Sequence, residues 1–114
     1  MDKVKFLLYN EIYNLYIFLY PTLARFPKSE KFTLRKSIDE TVLDMLITLE
    51  RYTKTKYKDK SSQIRKISYL FDKFKVLLKI SKDLNFISIN NYAVIVEKYE
   101  IIGKLIGGLL KKVD

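Results

Sequence analysis

Lys75, Lys79 and Lys82 recur at intervals of four and three. On a helix that spacing gathers them within about 60° of arc. Ammonium groups so arranged attract and hold anions, above all the phosphates of a nucleic-acid backbone. Lys58, Arg65, Lys66 and Lys73 continue the positive charge through the same segment. Residues 57–84 hold eight Lys and Arg against three Asp, a net +5, while the whole 114-residue chain has 22 Lys and Arg against 13 Asp and Glu, a formal +9. More than half of the excess therefore falls in a quarter of the chain. Solvated helix faces ordinarily mix signs and place Glu four residues from Lys. Lys75 and Lys79 form a like-charge pair instead, costing roughly a few tenths of a kcal/mol that an anionic partner would relieve. An ordinary solvated face remains the alternative reading.

The other side-chain chemistry is sparse. With no His and no Cys, the commonest general base, the usual metal ligands and the thiol nucleophile are all missing. Asp39, Glu40 and Asp44 are the one acidic grouping, and nearby Arg35 and Lys36 favour surface pairing. Phosphoryl transfer assisted by metal ions needs carboxylates converging from several elements. The sequence points to a binder rather than an enzyme, with no metal and no cofactor. Zero Cys also fits a reducing, cytoplasmic setting. Tyr57 and Tyr69 stand among basic residues and are candidates for stacking on unpaired bases. Phe6, Tyr13, Phe71, Phe74, Tyr92 and Tyr99 lie on apolar stripes and are expected in the core.

Four helices must carry these residues, at about 4–23, 28–57, 62–84 and 88–111, in one domain spanning 1–114. Such a chain buries roughly two thirds of its surface without disulfides or metal. The 48% apolar content and only three Gly and two Pro argue against disorder. Leu34, Ile38, Val42, Met45, Leu49 and Tyr52 follow the three-four alternation of a buried stripe, as do Ile64, Ile67, Phe71, Phe74 and Leu78. Tyr92, Ile95, Tyr99, Ile102, Ile106 and Leu109 form the last stripe. Pro21 is expected to kink or end the first helix, and Pro27 to sit in the first turn of the second. Ser61 or Ser62, and Ser88, are candidate N-caps. No period-two alternation points to strands. The short connections favour an all-α, antiparallel up-down four-helix bundle.

Two helices are more apolar than one core requires. Leu15-Tyr-Ile-Phe-Leu-Tyr20 leaves the first helix no polar face there, and Val94, Val96, Ile101 and Leu105 flank the stripe of the last. An all-round apolar helix needs cover on more than one side, which points to self-association. The longest clean apolar run is far short of the ~20 residues of a membrane span, and Asn10, Glu11 and Asn14 interrupt any signal-peptide pattern. Gly103 and Gly107 are four apart on the last helix, a spacing that permits close helix packing.

In order and spacing these features resemble one family. Tyr20-Pro21 followed by Phe26-Pro27-Lys28-Ser29-Glu30-Lys31-Phe32-Thr33-Leu34 is similar to the first helical junction of the Avd-like four-helix-bundle proteins. Phe74-Lys75-Val76-Leu77-Leu78-Lys79-Ile80-Ser81-Lys82-Asp83-Leu84 resembles the family's basic third helix, and Ile102-Gly103-Lys104-Leu105-Ile106-Gly107-Gly108 its glycine-bearing fourth. The family includes accessory variability determinants of diversity-generating retroelements and proteins encoded by intervening sequences in 23S rRNA genes. The resemblance implies a homopentameric barrel that binds a reverse transcriptase and RNA, or an RNA/DNA hybrid, to support cDNA synthesis in mutagenic retrohoming. It assigns binding roles to Lys75, Lys79 and Lys104, where Lys stands in place of the more usual Arg and so lacks the planar fork. Lys82, Arg65 and Lys66 complete the candidate set. The rRNA-intervening branch without a polymerase, and a purely structural homo-oligomer, are the competing readings.

Overall fold

The computed structural model describes residues 3–54 and 60–113. Four long helices form within them: α1 (Lys3–Ala24), α2 (Leu34–Lys54), α3 (Lys60–Asp83) and α4 (Ile89–Val113), with a short 3-10 turn at Lys28–Glu30. Each packs against its chain neighbours, and α1 closes the ring onto α4. Helices of 21–25 residues rise about 32–38 Å, close to the 43 Å long axis of a body 25 × 20 Å in section. The expected up-down bundle is the fold, and no strand occurs among the described residues.

The buried stripes are those that periodicity marks. Ile38, Val42, Met45, Leu49 and Tyr52 of α2 face Ile64, Ile67, Phe71, Phe74 and Leu78 of α3, while Ile95, Ile102, Ile106 and Leu109 of α4 face Leu8, Ile12, Leu15, Leu19 and Leu23 of α1. Tyr99 sets its ring edge-on to Phe71 at 5.9 Å and Phe74 at 6.4 Å, tying α4 to α3. Phe71, Phe74, Tyr92 and Tyr99 thus join the core or pack against it.

Phe6 and Tyr13 do not: they are 56% and 48% exposed. Each lies two residues from the centre of the inward stripe, about 200° around the helix. The inner face is already filled by Leu and Ile.

The ends of the helices differ from the sequence expectation for local reasons. Pro21 does not end α1, which runs on to Ala24. Pro21 and Ile17, whose carbonyl loses its helical donor to the proline, are both exposed, so water can take the lost bond. The second α-helix starts at Leu34 rather than Lys28. The Glu30 amide donates to the Pro27 carbonyl and Lys31 to Lys28, spacings of three that wind a 3-10 turn. Pro27 therefore precedes that turn instead of opening α2. The Thr33 hydroxyl donates to the Glu30 carboxylate at 2.7 Å, and the Ser37 amide reaching the Thr33 carbonyl begins the α geometry.

Ser61 and Ser62 lie inside α3, so neither caps it. Tyr57, Lys58 and the expected end of the second helix at 57 lie outside the described residues. Ser88 caps α4 as expected, its Oγ accepting the Asn91 amide at 3.1 Å. The end of α3 is closed by Asn85 at φ 65°, the Asn85 amide donating to Lys82 and the Phe86 amide to Ser81. Phe86 then packs on Phe26 at 5.7 Å, joining the two connectors at that end of the bundle.

Candidate nucleic-acid interface

The lysines of α3 stand on its outer shoulder, set by the stripe they flank. Phe71, Phe74 and Leu78 point inward, so residues 75, 79 and 82 must emerge beside them toward α4. Lys75 is half-exposed, with its Nζ 4.7 Å from the Phe71 ring centroid and 3.5 Å from Asp72 Oδ1. Lys79 Nζ donates to Asp83 Oδ2 at 2.8 Å, and Lys82 Nζ lies 3.3 Å from Asp83 Oδ1 and 5.3 Å from the Tyr92 ring centroid. The hydrogen bond from Lys79, with help from Lys82, holds the Asp83 carboxyl below its ordinary range, and the same bond raises the Lys79 ammonium. Asp72 and Asp83 therefore offset the ridge directly rather than merely diluting its net charge.

Lys104 comes to the same place from α4. It lines, with Lys75, Phe71, Tyr99, Glu100 and Gly103, an open cleft of about 270 Å³ between α3 and α4. Gly103 makes that approach possible. A Cβ there would stand 3.2 Å from the Phe71 ring, so the ring on which Lys75 rests would have to give by a few tenths of an ångström. Gly107 and Gly108 have no such neighbour, a Cβ at either meeting nothing within 4 Å. The structure thus brings Lys75 and Lys104 together over an aromatic floor. Lys79 and Lys82 stand farther along α3, linked through Asp83. Arg65 and Lys66 do not line the cleft; they lie about 15 Å back along α3 and are exposed. Tyr69 is 66% exposed, as a stacking residue needs to be.

The carboxylates of α2 have structural partners. Asp39 Oδ1 accepts the Tyr16 hydroxyl at 2.7 Å, and Glu40 lies 3.9 Å from Lys36. Burial, reinforced by the Asp39 carboxylate, pushes the Tyr16 hydroxyl up to about 12. Burial likewise raises that of Tyr99. Among the described residues no group of three or more acidic side chains is arranged to hold a metal ion. No described helix is long and apolar enough to cross a membrane.

Two further surfaces lie outside the expected binding set. On α1, Phe6, Tyr9, Tyr13, Ile17 and Tyr20 form an exposed apolar stripe opposite the buried one, with Tyr9 and Tyr13 stacked at 6.5 Å. The self-association expected of an apolar α1 would use this stripe, although Phe6 and Tyr13 are expected in the core from their spacing. At the α1–α2 corner, Lys31, Phe32, Arg35 and Lys36 gather with Tyr20 around a second cleft. In the sequence these residues mark only a helix junction.

No curated protein gives a match to this chain. A family model described as bAvd-like matches residues 6–113, a span that takes in the four-helix ring, the basic shoulder of α3 and the Gly103 approach of α4. By that near-complete match the chain belongs to the bAvd-like family.

Proposed function

We propose that this protein is a non-catalytic, nucleic-acid-binding accessory protein of a diversity-generating retroelement. In this reading it binds the reverse transcriptase and its template RNA as a homopentamer and supports cDNA synthesis in mutagenic retrohoming. Family membership supports the class. The observation that carries the binding role is the convergence of Lys75 and Lys104, from two helices, on one cleft floored by Phe71 and Tyr99. Flexible ammonium groups over aromatic rings suit phosphates that must be gripped without base specificity. The exposed stripe of α1 supports the assembly part, since large apolar patches on a small protein mark interaction surfaces.

The test is RNA retention as a function of salt. Replacing Lys75, Lys79 and Lys82 together by Gln should weaken binding and lower the slope of log affinity against log salt by about two units, with oligomer mass unchanged. Absence of RNA affinity in the native protein at low salt would overturn the binding role. An adjacent reverse-transcriptase gene with template and variable repeats is the genomic expectation. A reading frame lying inside an rRNA gene would overturn the polymerase part.

A further inference from the structure

At the corner where α1 meets α2, Tyr20 and Leu23 face Lys31, Phe32, Arg35 and Lys36 across a cleft of about 290 Å³. Phe32 is 76% exposed and Tyr20 59%, unusual positions for rings that the core could have taken. Lys31 Nζ lies 5.5 Å from the Phe32 centroid, so a cation and a π face are presented together. Neither Lys31 nor Arg35 forms an ion pair among the described residues, and Lys36 has only its 3.9 Å approach to Glu40. The lining carboxylate, Asp39, is held by the Tyr16 hydroxyl. Three cations against one acid leave the cleft net positive. This is the reverse of the α3 shoulder, where Lys75, Lys79 and Lys82 all have an aspartate nearby.

We infer that this cleft is a binding subsite for one unpaired nucleotide of a single-stranded RNA. The base stacks on Phe32 with Tyr20 at its edge, and Arg35 and Lys31 hold the adjoining phosphate. Stacking on exposed aromatics beside a basic groove is how proteins hold unpaired bases without reading their sequence. The guanidinium of Arg35 supplies the two-pronged phosphate grip that the lysines of α3 lack.

Position favours an RNA strand over a lipid surface. The rings border a cleft instead of projecting as a broad apolar plane. The corner also lies at the same end of the bundle as Lys79 and Lys82, joined to it by the Phe26–Phe86 contact. A strand held on α3 can thus continue over that end, across a body only 25 × 20 Å in section. The inference rests on the RNA-binding reading and adds where an unpaired base goes.

The chain contains no Trp, so Phe32→Trp installs a single reporter that stacks at least as well. Its fluorescence should be quenched by a single-stranded oligouridine RNA and not by an RNA duplex of equal length. Phe32→Leu, on an exposed ring, should leave the circular dichroism and thermal melt unchanged and lower single-strand affinity about ten-fold, with the salt slope and duplex affinity unaltered. Arg35→Gln should lower single-strand affinity and reduce the slope by about 0.7. If Phe32→Leu and Arg35→Gln bind as the native protein does while the α3 triple variant has lost binding, the subsite is wrong and the proposed function stands. If the native protein binds no RNA at low salt, both fall. Quenching by anionic phosphatidylglycerol vesicles but not by RNA would overturn the subsite in favour of a membrane contact.

Discussion

The outward face of α1 and the α3 shoulder are both exposed, yet water treats them differently. Phe6, Tyr13 and Ile17 leave about half of their apolar side chains in solvent, at 56%, 48% and 54% exposure. Each is a standing cost of apolar hydration that burial would remove, about 25 cal/mol per Å² covered. Lys79 is exposed, Lys75 and Lys82 are partly so, and each has an aspartate nearby, so holding these charges at the surface costs little. A bare apolar stripe is therefore the stronger sign of a macromolecular contact. A charged ridge gains its meaning from convergence, here of Lys75 and Lys104 across two helices.

The largest expected effect comes from placing charge on the apolar stripe. If the proposed homo-oligomer forms through this stripe, Tyr13→Asp should convert it to monomers in native mass spectrometry while leaving the helical spectrum intact, because Tyr13 is 48% exposed within its own chain. An unchanged assembly would mean that the two faces do not differ in the way described.

Tyr16, three residues on, makes the opposite case on the same helix. Its hydroxyl is tied to Asp39, so Tyr16→Phe should cost about 1 kcal/mol of unfolding free energy with no change in oligomer mass. Its folded pKa of about 12 lies above the ordinary value near 10. The stabilisation is therefore fully present below about pH 10 and is lost as pH rises toward 12. The native protein and Tyr16→Phe should converge in stability over that window, as alkaline denaturation will show.

The smallest effect is expected on the charged ridge. Asp83→Asn removes the counter-ion of Lys79 and Lys82 and should raise RNA affinity several-fold, read by salt titration. The sign in pH follows from the lowered Asp83 carboxyl. Its ion pairs stabilise the fold above the unfolded carboxyl's pKa, near 4, and lose that contribution as pH falls through the lower folded value.

The fold was largely legible because helical periodicity is local. Ile38 through Tyr52 and Ile64 through Leu78 carry their inward faces in their spacing, whatever the neighbouring helix. The ends were less so: Glu30 could as well begin an α-helix as anchor Thr33, and only the hydrogen bonds chose. The site was half legible. Lys75, Lys79 and Lys82 announced themselves by charge and spacing, but Asp83 appeared in sequence only as an offset to net charge. Lys104 owed its place to the resemblance alone. The α1–α2 corner was hidden because Tyr20 and Phe32 are twelve residues apart and meet only when the chain turns.

The sequence by itself determined that four amphipathic helices form, that α3 is basic, and that α1 is apolar on more sides than one bundle can use. These are properties of composition and of a 3.6-residue period. Tertiary structure alone decided that Phe6 and Tyr13 lie outside the core that holds Phe71 and Phe74. It also put Lys104 beside Lys75 and opened a cationic cleft between Tyr20 and Phe32. Such outcomes depend on how helices pair around a core, and no single helix encodes its neighbour's distance.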